Sequence, residues 1–482
     1  MSVILLINIL GDKMMNIKNS AQNIVRKTEL TRFLASCIYR RYLDFKYKQE
    51  FHSRISNMNL ESYFDSTSKP DLNVIILTVD CLRYSNLSFQ GYHRETSPFL
   101  DSFKHKFKGV SASPWTYPSV ASILTGLYPH NHNAVISDEI KNFDTLRGFQ
   151  KIKKNVISLP ELLYFLGYDI YFGTAIATAF YPLRGRTVPK MYGYDSQAEN
   201  MLYSLQRWVS KRNKPFFAYL QLGDLHEPIN LPDSFKSYFG KVKNLPKIDR
   251  WDFRRPEEQE GEKFQEYKQN RVLLYDNTLR YVDHAIEQFY TFLEDSGLMD
   301  STIFIVTADH GEEFWEHSQL EAANFYDPRG YYGVGHGHNV FEEIINVPVL
   351  MSGPIPYKPV PKKISTVDIM PTIIDLLGID FNSKLDGKNI FEIDDKPLLS
   401  EAVGYGYEKK SLDFGRYKLI YSKDDNVKWV FDLKNDPAEQ QPIKDEEISS
   451  VFVEKLFKML KKDEVSKLKS GLKNKNDTEN EY

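Results

Sequence analysis

The chain has 482 residues, 41% of them apolar and 26% charged, enough of both for a large buried core, which excludes wholesale disorder. A formal net charge of −3 leaves no global field that would favour nucleic acid. Two cysteines, Cys37 and Cys81, are too few for a disulfide framework, and no segment approaches the roughly 20 apolar residues that span a bilayer.

The leading stretch VILLINIL, residues 3–10, lacks a basic lead and a small-residue cleavage site, so a secretory leader is a weak reading. A start at Met14 or Met15 is an equal reading, and a cytoplasmic location is the expectation. Residues 1–70 are expected to form a helical N-terminal extension. Its run IYRRYLDFKYKQEFHSR reads as a solvated helix face, with peripheral contact to an anionic membrane through residues 16–55 as the alternative.

From Asn73 the texture changes. NVIILTVD (73–80), KPFFAYLQLGDLH (214–226), STIFIVTADHG (301–311) and VPVLMSGP (347–354) are short apolar runs of the kind that form strands buried on both faces. Between them, residues 158–167, 270–297 and 365–378 carry helical periodicity. Strands alternating with helices predict a mainly parallel sheet sandwiched between helices over residues 71–380. Beyond Gly378, RYKLIYSK and KWVFDLKNDPAEQ predict a smaller α+β subdomain with an antiparallel sheet at 381–445. The Lys-rich tail, 446–482, is expected to begin as a helix and fray.

Two of the strand candidates end in the same pattern, apolar run then Thr-x-Asp: ILTVD and IVTADH. Ligands of open α/β sheets bind beyond the carboxyl ends of the strands, which would gather Asp80, Asp309 and His310 at one edge. A single Asp there reads as a turn or helix cap. Two carboxylates and an imidazole together call for a divalent cation. Histidines also gather in glycine-rich loops: His310 and His317 in DHGEEFWEH, His336 and His338 in GVGHGHNVFEE.

Thr116, in SASPWTYPSVASILTGLYPHNH, stands where a helix begins, with Pro118 suited to the first turn. Alone it reads as a cap. Beside Asp80, Asp309 and His310 it reads as a nucleophile held at the positive end of the helix.

These residues resemble the sulfatase branch of the alkaline phosphatase superfamily, over about residues 73–440. The matching stretches are VIILTVDCLRYSNLSFQGYHRETSPFLD, SPWTYPSVASILTGLYPHNH, TADHGEEFWEH, GHGHNVFEEIINVPVLMSGP and GRYKLIYSKDDNVKWVFDLKNDPAEQ. The resemblance implies an alkaline phosphatase-like fold in which Asp80, Thr116, Asp309 and His310 hold a metal ion. Thr116 would attack the ester, His226 would contact substrate or protonate the leaving oxygen, and His336 or His338 would stabilise the non-bridging oxygens. Arg83 is a secondary anion contact by the same reading.

The departures bear on the chemistry. Sulfatases carry Cys-x-Pro-Ser-Arg, whose cysteine becomes formylglycine; here the string is Thr116-Tyr117-Pro118-Ser119-Val120. Cys81 replaces the second Asp of the opening motif, GTAIA (173–177) replaces a Lys-x-His pair, and His310 stands where calcium sulfatases have Asn. The donor set suits zinc or manganese, with calcium as the alternative. The expectation is a metal-dependent sulfatase-like hydrolase cleaving a sulfate or, favoured, a phosphate mono- or diester through a covalent Thr116 intermediate. The alternatives are a phospho-alcohol transferase acting on a polysaccharide or lipid, and a non-catalytic anion-binding pseudoenzyme. The expected partner is an anionic ester, glycan or lipid-linked, and the insert at about 230–268 is expected to cover the pocket.

Overall fold

Strand β1, Asn73–Val79, is buried at every position, as β-branched and aliphatic residues must be when a strand is covered on both faces. In the computed structural model, which describes residues 29–58, 71–243, 251–356, 363–392 and 395–461, it lies within an eight-stranded sheet. The others are β2 His105–Val110, β3 Asp169–Thr174, β4 Pro189–Met191, β5 Phe216–Leu222, β6 Thr302–Thr307, β7 Asn346–Ser352 and β8 Lys363–Ser365. Their spatial order is β8-β2-β7-β6-β1-β5-β3-β4. The central strands β6, β1, β5 and β3 run parallel, whereas β7 is antiparallel to both β6 and β2. The sheet is therefore mixed around a parallel centre, flanked by helices.

Register does the important work. Thr78 of β1 is level with Thr307 of β6 and with Gln221 of β5. Asp80 and Asp309, each two residues further on, therefore leave the sheet side by side.

Helix α1, Glu29–Ser56, belongs with Arg184–Pro189 to a compact unit of its own, in which Arg184 grips Glu50 through hydrogen bonds of 2.8 and 2.5 Å. In the larger unit, the principal helices are α2 Thr116–Thr125, α3 Leu159–Phe165, α4 Ala198–Val209, α5 Gly261–Asp295 and α6 Ile369–Leu376. The apolar period predicts α5 from 270; it starts at Gly261 because Phe264 and Tyr267 continue the buried stripe of Leu274, Val282 and Phe289. Strand β2 carries a weak signal because Lys106 and Lys108 interrupt its apolar face.

The antiparallel sheet expected near the C-terminus is present, with β9 Leu398–Ser400, β10 Lys410–Asp413, β11 Tyr417–Ser422 and β12 Val427–Asp432 in sequential order. Residues 446–461 are helical, and Leu456 and Phe452 pack on this sheet's core. The leader-like run, the alternative starts, part of the membrane-contact stretch and the end of the tail lie outside the described residues. Among the described residues, no helix is long and apolar enough to cross a membrane.

Candidate active site

Asp80 and Asp309 are fully buried at the carboxyl ends of β1 and β6. Their bridge is Gln221, near the end of β5, whose amide nitrogen donates to Oδ2 of Asp80 and to Oδ2 of Asp309, both at 2.9 Å. Tyr219 fixes that amide by donating its hydroxyl to the Gln221 carbonyl oxygen. Burial pushes the Asp309 carboxyl well above the usual carboxylate range, and Asp80 beside it adds to the push. Asp80 goes the other way: against burial, His310, His226 and His336 hold its carboxyl down at about 2.

His310 follows Asp309 directly. Its Nε2 lies 3.5 Å from Asp309 and 3.6 Å from Asp80, while Nδ1–H donates to the Gly311 carbonyl at 2.8 Å. That bond fixes the tautomer and leaves the Nε2 lone pair facing the carboxylates. The sharp exit from β6 needs glycine at 311, because a Cβ there would meet the Glu343 carbonyl oxygen at 2.1 Å. Ser119 of α2 donates to the Asp309 carbonyl at 2.6 Å, and Ser111 donates to the same oxygen, tying this turn to the helix that carries Thr116.

Thr116 is the first residue of α2 and not its cap; extended Trp115 occupies that position and supplies no side-chain cap. All ten residues of α2 are buried, and Gly126 closes it in a left-handed conformation. The Thr116 hydroxyl is thus free of backbone capping. It stands 3.3 Å from Oδ2 of Asp80 and 3.2 Å from Nε2 of His310.

Cys81 takes a left-handed backbone (φ 61°), unusual for a residue with a side chain, and its thiol donates to Oδ1 of Asp80 at 3.1 Å. The His336 ring lies 4.2 Å from that of His310 and 5.2 Å from that of His226, centroid to centroid. Burial holds His336 well below its ordinary pKa, with His310 and His226 acting in the same direction. His226 donates Nδ1–H to the Glu227 carbonyl at 2.6 Å, leaving Nε2 as its acceptor nitrogen.

His338 goes elsewhere. Gly337 between the two histidines has φ 81°, and this reversal carries His338 to Glu313 and Glu321, at 3.1 and 3.3 Å. Arg83, expected as an anion contact, is buried and committed to the Glu312 carbonyl at 2.9 Å and to the Glu316 carboxylate at 2.7 Å.

The residues fit a divalent cation: Asp80, Asp309 and His310 present ligand atoms all within 4.8 Å of one another, two carboxylate oxygens and an imidazole nitrogen that together make a donor set for such an ion. Sequence reading missed Gln221, hidden inside the apolar run FFAYLQL; a lone amide at a fully buried strand position was the available signal. It also missed Arg271, on α5, which pairs with Glu227 and lies 3.9 Å above the Trp251 ring, so the loop of His226 is anchored from behind.

Residues 72–379 match the family model Sulfatase. The chain belongs to the sulfatase family. Among curated sulfatase-like relatives, arylsulfatase from Clostridium perfringens is 24% identical over 259 residues, 47% of this chain and 49% of that protein. The low-salt glycan biosynthesis sulfotransferase Agl7 of Haloferax volcanii is 24% identical over 377 residues, 76% of this chain and 73% of that protein. The chain spans about half or less of the length of several other curated relatives. In fold it is similar to phosphonate monoester hydrolase from Agrobacterium radiobacter, with a TM-score of 0.58 at 16% identity, covering 81% of this chain and 95% of that one. Membership of the sulfatase family agrees with the metal-ready cluster at the sheet edge.

Proposed function

We propose that this sulfatase-family protein hydrolyses an anionic ester, a phosphate mono- or diester in preference to a sulfate, with Thr116 as the nucleophile. One observation carries the reading: a hydroxyl on the first residue of a buried helix, within 3.3 Å of a carboxylate and 3.2 Å of an imidazole nitrogen. A divalent cation held by Asp80, Asp309, His310 and Thr116, zinc or manganese before calcium, would supply Lewis-acid polarisation of the ester and lower the pKa of the hydroxyl.

The protein's own groups do the rest. Thr116 Oγ1, its proton lost to solvent water, bonds to phosphorus or sulfur as the bond to the leaving oxygen breaks. The start of α2, with its unpaired N–H groups, faces the negative charge of the ester. His226 keeps its Nδ1–H on the Glu227 carbonyl, so it protonates the leaving oxygen from the imidazolium form, through a second proton on Nε2, and His336 lies against the non-bridging oxygens. Water then attacks the threonine ester and releases Thr116. A formylglycine hydrate expels sulfate by collapsing to the aldehyde; threonine has no such exit, which is why phosphoryl chemistry is favoured here.

A transferase is the second reading, in which an alcohol replaces water in the last step; the match to a protein named as a glycan biosynthesis sulfotransferase favours it. The test is release of nitrophenol from phosphate monoester, phosphodiester and sulfate ester probes across several divalent metals. Thr116→Ala is expected to lower turnover by at least ~10³-fold while keeping bound metal. Equal turnover in that variant would overturn the role of Thr116, and faster discharge to sugar acceptors than to water would favour transfer.

A further inference from the structure

A cavity of about 320 Å³ is lined by Arg254, Arg255, Glu258, Arg329, Gly330 and Tyr331. Three guanidinium groups meet there, and only one has a carboxylate partner among the described residues. Arg329 holds Asp327 at 2.7 Å and stacks on the Tyr405 ring, 3.5 Å from its centroid. Arg254 lies 4.3 Å from the centroid of Tyr331 and donates to its hydroxyl. Arg255 is exposed and its side chain has no ion-pair partner among the described residues. Glu258 accepts the backbone N–H groups of Arg254 and Arg255, at 2.9 and 3.3 Å. Arg329 is balanced by Asp327, with Asp144 acting on it from behind Tyr405, which leaves Arg254 and Arg255 with Glu258 as the one carboxylate lining the cavity.

Two of the three arginines are already immobilised on aromatic rings, so little ordering is required before they meet an anion. The planar fork of arginine matches the oxygens of sulfate or phosphate. Residues behind and beside this lining reach the loop that carries His336. Tyr405, beneath Arg329, donates its backbone N–H to the Gly337 carbonyl at 3.1 Å. Trp251, three residues before Arg254, packs close to the same loop, since a Cβ at Gly335 would meet its Nε1 at 3.4 Å. Tyr331 and His336 are five residues apart, at most roughly 17 Å of chain.

We propose that this pocket is a secondary anion site, which takes a sulfate or phosphate group of the substrate other than the one Thr116 attacks. The substrate class is then a polyanion carrying at least two such groups; this rests on the reading of Thr116 as the reacting centre.

The test uses metal-loaded Thr116→Ala protein, titrated at fixed ionic strength with disaccharides bearing one or two sulfates and sugar phosphates bearing one or two phosphates. The ligand of one series that bears two anionic groups is expected to bind roughly 10-fold or more tighter than its partner bearing one, since charge-assisted hydrogen bonds set that scale. The series that shows the margin names the second group. Arg255→Gln should reduce the margin and Arg254→Gln with Arg255→Gln should abolish it, leaving the ligand with one anionic group unaffected. Melting curves check that both variants fold. A missing margin, a margin that survives the double substitution, or no binding of any probe overturns the proposal. Hydrolysis by the unsubstituted protein is scored separately. An arginine-dependent margin without hydrolysis keeps the pocket and removes the Thr116 reading, and hydrolysis without the margin does the reverse.

Discussion

Two buried clusters of carboxylates and histidines lie beyond β6, built from the same residue types and different in how far the histidines are held charged. Around Asp80 and Asp309 the carboxylates are bridged by a neutral amide, and Asp309 is pushed well above its ordinary range by burial and by Asp80. Around Glu313 the histidines supply the cations themselves. Burial works against a charged His317, yet Glu343 at 2.7 Å and Glu313 carry its pKa up to about 11. His338 is carried against burial to about 10 by Glu321 and Glu313. In the second cluster Glu321 is lowered against burial to about 2 by His338, and Glu313 is raised to about 8 by burial and Glu321. In the first, Asp80 is lowered against burial to about 2 by His310, His226 and His336. Burial holds His336 itself well below its ordinary pKa, so that cluster carries fewer cations of its own. Composition alone would have called both of them metal sites.

The largest expected difference between the clusters comes from Asp309→Asn. Turnover should fall on the order of 10⁴-fold, about 5 kcal/mol of barrier. Bound metal should fall with it, measured by elemental analysis. Stripped of metal, this variant should melt above the equally stripped parent, because a like-charge pair has been removed. Unchanged metal content would break the comparison at its first term.

His317→Gln acts on the other cluster and should cost about 3–5 kcal/mol of unfolding free energy, since one partner of a buried ion pair is lost. Bound metal should not change. The pH dependence follows from the sign of the shift: the folded-state pKa, about 11, lies above the ordinary 6.5. The contribution of His317 is fully present below pH 6.5 and lost as pH rises through about 11. Denaturant titrations between pH 7 and 10 should therefore show a flatter stability profile for the variant than for the parent.

Gln221→Leu gives the smallest effect of the three. The amide orients both carboxylates without touching a cation, so metal affinity should weaken by roughly 10–100-fold. Equal affinity, measured by competition with a chromogenic chelator, would reduce Gln221 to packing.

Much of this was legible because the chemistry stands at the edges of strong patterns. Asp80 and Asp309 end apolar runs, and Thr116 opens an apolar helix, so each can be found without knowing the fold. Gln221 could not stand out in the same way, being one polar residue within a buried strand. The direction of β7 was hidden too, since a run buried on both faces reads alike in either orientation. The parting of His336 from His338 turns on one glycine dihedral, and the engagement of Arg83 with Glu316 on a contact 233 positions away in the chain. Sequence spacing encodes neither.

The level pairing of Thr78 with Thr307 has a consequence for assembly. A slip of one residue between those strands would move one acidic side chain along the sheet relative to the other, and a coordination shell spanning both could not close. Ion capture would then act as proofreading: chains with a misaligned centre would stay apo, and the cell could sort them by what they fail to hold.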